Sequence, residues 1–208
     1  TFFLKNQNSI VIINKIFNEY ALFSGRKPNI SKCEIAGIGC LKGVNLVLCG
    51  MKCVDLTAET LKILGIHFSY NEKVNQDKNF KTQITKIQNL LKIWRMRNIS
   101  IEGKITVFKS LALSKIIHFA LIMPIPNDVI EHLKKIQTEF IWNYKKPKIK
   151  SEILCKTFEN GGLKNVDITL KIVSLQCSWV KRLFEGTSHE WKIIPKFLID
   201  KFLGKNFV

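Results

Sequence analysis

The stretch NFKTQITKIQNLLKIWRMRNISIEGKITVFKSLALSKIIHFALIMPIPNDVIEHLKKIQTEFIW, residues 79–142, decides the architecture of this chain. Phe80, Ile84, Ile87, Leu91 and Trp94 recur at alternating intervals of four and three, the spacing of one helical face. Ser100 is placed to cap a second helix that carries Ile101, Ile105, Phe108, Leu111 and Ala112, and Pro124 and Pro126 end it. Asn127 is placed to cap a third, with Ile130, Leu133, Ile136, Phe140 and Ile141 on its apolar face. Three successive helices with short joints predict a compact bundle.

Upstream the pattern is mixed. Asn8 or Ser9 can cap a helix bearing Ile10, Ile13, Phe17, Tyr20 and Ala21, and Gly25 is a natural stop. Cys33–Ile38 reads as a strand, Leu41–Leu48 as a short helix or strand, and Lys62–Phe68 as a strand centred on Leu64-Gly65-Ile66. Thr1 is not Met, and Phe2-Phe3-Leu4 reads as an apolar strand beginning at once, which suggests a fragment. Downstream, Asn143–Lys150 is a basic, proline-containing joint and Gly161-Gly162 marks a turn. Asp167 can cap a helix carrying Ile168, Ile172, Leu175, Trp179 and Leu183, and the tail from Trp191 is helical in character. The expected class is α+β, predominantly α.

The chain has 208 residues, 46% of them apolar and 14 of them Phe, enough for a real core. Its 33 Lys and Arg against 16 Asp and Glu give a formal charge of +17, and phosphate is the commonest polyanion that relieves such self-repulsion. Residues 79–150 hold 14 of the cations against four acids (Glu102, Asp128, Glu131 and Glu139), a net +10. Lys92, Arg95 and Arg97 end the first helix, and Lys104, Lys109 and Lys115 fall in the second. Each lysine alone is most simply a solvated side chain. Taken together they form a face that acids do not neutralise, suited to sequence-independent phosphate contacts. Lys145 and Lys146, with Lys148 and Lys150, form a second basic patch beside Trp142 and Tyr144, aromatics that either stack on bases or close the core.

Catalytic patterns are missing. The sequence has no P-loop, no GxGxxG and no GxSxG, and Asp55, Asp77, Asp128, Asp167 and Asp200 are scattered singly. Cys49 and Cys53 have a spacing zinc can use, but Cys33 and Cys40 make a poor second pair, so buried thiols are the better reading. Six cysteines without a secretory leader point to reduced thiols and an intracellular, cytoplasmic or nuclear setting. The apolar run near Ile116–Pro126 is too short for a bilayer, which takes roughly 20 residues, so no membrane partner is expected.

Several of these segments resemble a known family. Thr1-Phe2-Phe3-Leu4, then Phe23-Ser24-Gly25-Arg26-Lys27-Pro28-Asn29-Ile30-Ser31-Lys32-Cys33-Glu34, then Leu64-Gly65-Ile66, look like the reverse transcriptase of non-LTR (LINE-type) retrotransposons. Trp94-Arg95-Met96-Arg97-Asn98-Ile99-Ser100-Ile101-Glu102-Gly103-Lys104 and Gly161-Gly162-Leu163 resemble the region after its polymerase core. The resemblance implies a truncated palm with short antiparallel strands over residues 1–73, a helical thumb over 74–145 and a helical connecting region over 146–208. It implies that the paired catalytic aspartates would precede Thr1, so that no catalytic residue is expected here beyond Lys32, a possible proton donor to leaving pyrophosphate. It places Leu64, Gly65 and Ile66 under the primer end, and Lys92, Arg95, Arg97, Lys104, Lys109, Lys115, Lys145 and Lys146 against nucleic acid. The implied partners are an RNA and DNA template–primer duplex and a missing upstream polymerase half. The chain itself is expected to carry no cofactor, with Mg²⁺ implied for the complete enzyme. The same residues also fit a non-enzymatic basic helical adaptor.

Overall fold

A computed structural model describes Leu4 and residues 8–44, 51–186 and 189–203. These residues are predominantly helical, with two small two-stranded sheets. They fall into two compact units, Thr1–Asn79 and Phe80–Val208.

In the first unit, helix α1 (Asn8–Ser24) ends where expected. Gly25 adopts φ +67°, and its N–H donates to the Ala21 carbonyl at 2.9 Å. Of the expected stripe Ile10 is buried, Ile13, Phe17 and Ala21 are half-buried, and Tyr20 is exposed. Strand β1 (Glu34–Ile35) pairs in parallel with β2 (Lys52–Cys53), so the strand expected over Cys33–Ile38 is only two residues long. A 3₁₀ turn at Gly39–Leu41 begins the segment left open as helix or strand, and its residues 45–48 lie outside the described ones. The opening strand expected at Phe2 and Phe3 also lies outside them.

Lys62–Phe68, expected as one strand, is a hairpin of β3 (Leu61–Ile63) and β4 (Ile66–Phe68). Leu64 and Gly65 form its tip at φ +48° and +88°. Two successive left-handed residues give the turn whose twist matches the flanking strands. Glycine takes that conformation freely, and Leu64 does so 85% exposed. Beyond β4, helix α2 (Glu72–Gln76) starts seven residues before the helical onset expected from apolar spacing. Its signal is polar: the Asn71 side chain accepts from the N–H groups of Lys73 and Val74 at 3.1 and 3.4 Å. A π turn at Asp77–Lys81 follows and buries the Asn79 side chain. The N–H of His67 donates to Asn79 Oδ1, and Asn79 Nδ2 donates to the His67 carbonyl, both at 2.8 Å. Ile10, Val54, Leu56 and Ile66 form the small core.

In the second unit, α3 (Thr82–Arg95) buries Ile84, Ile87 and Leu91, as its spacing requires. The second helix of the bundle is interrupted. Helix α4 (Ile101–Val107) is capped by Ser100, whose hydroxyl accepts from the Gly103 N–H at 3.1 Å. A π turn at Phe108–Ala112 follows, then α5 (Ser114–Ala120). The wider turn leaves Phe108 and Ala112 both fully buried. Helix α6 (Asn127–Trp142) takes Pro126 at its cap position, so Asn127 is its first residue rather than a side-chain cap. Its apolar face packs on α3, α4 and α8 (Ile168–Phe184). Asp167 caps α8 through the Leu170 N–H at 3.1 Å. A buried Gln137 amide holds the approach to α8, donating at 3.0 Å to Asn165 Oδ1 and to the Val166 carbonyl. Helices α7 (Ser151–Cys155) and α9 (Ile193–Leu203) complete the unit. Among the described residues no helix is long and apolar enough to cross a membrane.

Candidate nucleic-acid interface

The basic residues singled out in the sequence do not act as one face. Lys104 is buried at 6% exposure. Its ammonium donates to Asn143 Oδ1 at 2.7 Å and to the Ile141 carbonyl at 3.3 Å. It therefore occupies the C-terminal end of α6, where the helix dipole and unpaired carbonyls favour a cation. Burial, then the neighbouring Arg95 charge, lowers its affinity for a proton below that of an ordinary lysine. Lys109 is exposed and donates to the Lys164 carbonyl at 3.0 Å, bracing a residue held at φ +51°. Both were expected at the phosphate-contacting face; Lys104 is buried away from solvent, whereas Lys109 is exposed. Lys115 is half-buried on α5. On α6, Lys134 pairs with Glu131 at 2.8 Å and Lys135 approaches Glu139 at 4.0 Å, so acids do interleave there.

What remains gathers at the C-terminal ends of α3 and α6. Asn143 and Tyr144, at φ +50° and +60°, turn the chain sharply off α6, and the Tyr144 N–H donates to the Glu139 carbonyl at 2.9 Å. That turn lays the Tyr144 ring against α3, with the Arg95 guanidinium 4.1 Å from its centroid. Tyr144 is 64% exposed, so the pair is open to solvent. Arg97 stands 4.6 Å from the Trp94 ring in the same manner. Lys92, Arg95, Glu139 and Tyr144 line one groove of about 260 Å³. Lys145 and Lys146 follow directly and are exposed, while Trp142 is half-buried. Arg95 Nε is buried, and among the described residues no acceptor meets it. The stacking of Arg95 on Tyr144 had a sequence signal only in hindsight: Asn after a helix favours the left-handed turn that brings the ring back.

The remaining site residues lie in the first unit. Lys32 ends a 3₁₀ turn, is exposed, and lines a groove of about 480 Å³ with α1 and β3. Leu64 and Gly65 are the hairpin tip and Ile66 is core, so these three do not share a surface. Among the described residues no three His, Cys, Asp or Glu side chains converge on a possible metal position. The Asp55 carboxylate accepts from the Thr57 N–H and hydroxyl at 2.9 and 2.7 Å, which holds its pKa down within a tight turn. Cys33, Cys40, Cys53, Cys155 and Cys177 are thiols, and Cys49, the other half of the closest zinc-like pair, lies outside the described residues. No family model matches the chain.

Proposed function

We propose that this chain is part of the RNA-directed DNA polymerase of a non-LTR retrotransposon and contributes grip on a template–primer duplex rather than chemistry. The order of the short motifs supports the family. The observation that carries the grip is the convergence of Lys92, Arg95 and Tyr144 on one groove, flanked by Arg97, Lys145 and Lys146. Arg95 is half-buried, and the planar fork of its guanidinium suits phosphate oxygens. The exposed ring of Tyr144 adds a stacking surface, and stacking tolerates any base.

Fluorescence anisotropy with an RNA–DNA primer–template tests this reading. Five cations at phosphates give a log–log salt slope of about −4.5. Arg95→Ala should weaken binding at least several-fold, and Lys145→Gln should reduce the slope by about one. Binding indifferent to salt removes the phosphate grip from consideration. With deoxynucleotides and Mg²⁺ present, the chain should bind the primer without extending it. A second reading, a non-enzymatic basic adaptor, is favoured by the extensive core of the second unit. Cooperative unfolding of residues 80–208 alone, with duplex affinity intact, would choose the adaptor.

A further inference from the structure

A second cationic site lies within the first unit. Lys62 and His67 are directly opposed across the β3–β4 hairpin. The N–H and carbonyl of His67 are both taken by Asn79, so they face the outer edge of β4. Lys62 and His67 are therefore a non-hydrogen-bonded pair, the kind whose side chains stand closest on one face. Thr60 Oγ1 lies 3.2 Å from His67 Nδ1 and accepts from Lys78 Nζ at 3.0 Å. With one proton and two lone pairs, the Thr60 hydroxyl can accept from Lys78 and either donate to Nδ1 or accept from it. Two ammonium groups, a hydroxyl and an imidazole thus meet around one short hairpin. Glu59, the acid next to Thr60, is engaged by Lys52 at 3.4 Å. Asp77 and Lys81, the other charged residues of the adjoining π turn, make contacts of their own.

We propose that Lys62, His67 and Lys78, with the Thr60 hydroxyl, form an oxyanion site that takes a phosphoryl group and picks up a proton as it does so. The cluster is unfavourable to itself. Burial and then the charges of Lys62 and Lys78 push the imidazole pKa below its usual value. A dianion between the lysines reverses the last two influences and supplies an acceptor for a second imidazole N–H. Binding then raises the His67 pKa, so protons are taken up and affinity rises as pH falls. The Asn79 clamp fixes the imidazole's backbone in advance, so little ordering remains to be done on binding.

The test is an NMR titration of the His67 ring in the full chain. Sulfate is the first probe, because it stays dianionic throughout the range. The expected result is an upward shift of the His67 midpoint with sulfate, and affinity at least threefold higher near pH ~5.5 than near pH ~7.5. Lys62→Gln and Lys78→Gln should each weaken sulfate binding several-fold and raise the sulfate-free His67 midpoint. Lys62 is exposed, so the first variant leaves the fold intact. A His67 midpoint unmoved by sulfate, or an affinity unchanged in both variants, overturns the site. Two further probes identify the source of the phosphoryl group, a 5′-phosphorylated and a 5′-hydroxyl oligodeoxynucleotide. A shift with the first alone assigns a terminal monoester, and a shift with both assigns a backbone diester. A shift with sulfate but neither oligonucleotide keeps the oxyanion site and counts against the template–primer reading.

Discussion

Lys104 and Gly162 owe their roles to atoms outside their own elements. Lys104 belongs by composition to a basic run, yet its ammonium closes the end of a helix 37 residues away. Lys104→Met keeps the volume but leaves the Ile141 carbonyl and Asn143 Oδ1 without their donor. It should lower unfolding free energy by about 1–3 kcal/mol in urea melts while leaving the salt slope of duplex binding unchanged. A reduced slope would return Lys104 to the phosphate-binding set. Gly162 sits where a Cβ would lie 2.1 Å from the Lys156 carbonyl oxygen and 2.7 Å from that of Ile153. Gly162→Ala must push two backbone segments apart, and a loss of about 2 kcal/mol or more is expected from chemical denaturation. The double glycine was legible as a turn. That its second member is needed for close approach was not, because the carbonyls it meets belong to α7 and the residue just past it.

At the level of elements, apolar periodicity was a sound guide wherever one face carries the core. Helices α3, α6 and α8 lie where their stripes place them. It failed where backbone geometry rather than burial sets the element. The β3–β4 turn is carried by Leu64 and Gly65, and leucine gives no warning of a left-handed residue. The polar onset of α2 and the π turn at Phe108–Ala112 were equally silent, since neither alters the sum of apolar residues. Leu64→Asn should therefore stabilise the hairpin by a few tenths to about 1 kcal/mol, because Asn tolerates that conformation better. Unchanged or lower thermal stability would show that the exposed leucine makes a contact worth more than its strain. The hairpin also carries a pH dependence. The folded His67 pKa lies below the unfolded value near 6.5, so the unfolded chain binds more protons in the interval between them. Stability should fall as pH drops below about 6.5 and level off beneath the folded pKa. His67→Gln should remove that part of the slope.

For the whole molecule, the charge of +17 was plain from composition, whereas its distribution between contact and scaffolding was not. The basic runs of the sequence contain Lys92, Arg95, Arg97, Lys145 and Lys146, but their meeting depends on Asn143 and Tyr144 reversing the chain after α6. No spacing rule foretells which two helix ends become neighbours. Tyr144→Ala should thus weaken duplex binding by about 1–3 kcal/mol while Trp142→Ala mainly costs stability, a contrast that paired binding and melting measurements will read. The clamp of Asn79 on β4 has a bearing on the company the protein keeps. A two-stranded hairpin has bare rims, and a bare rim recruits extended segments from other chains. Asn79 spends its whole carboxamide in filling the position that the next strand's backbone would take. The polypeptide thereby guards the β4 side of its own ladder against being lengthened by a stranger.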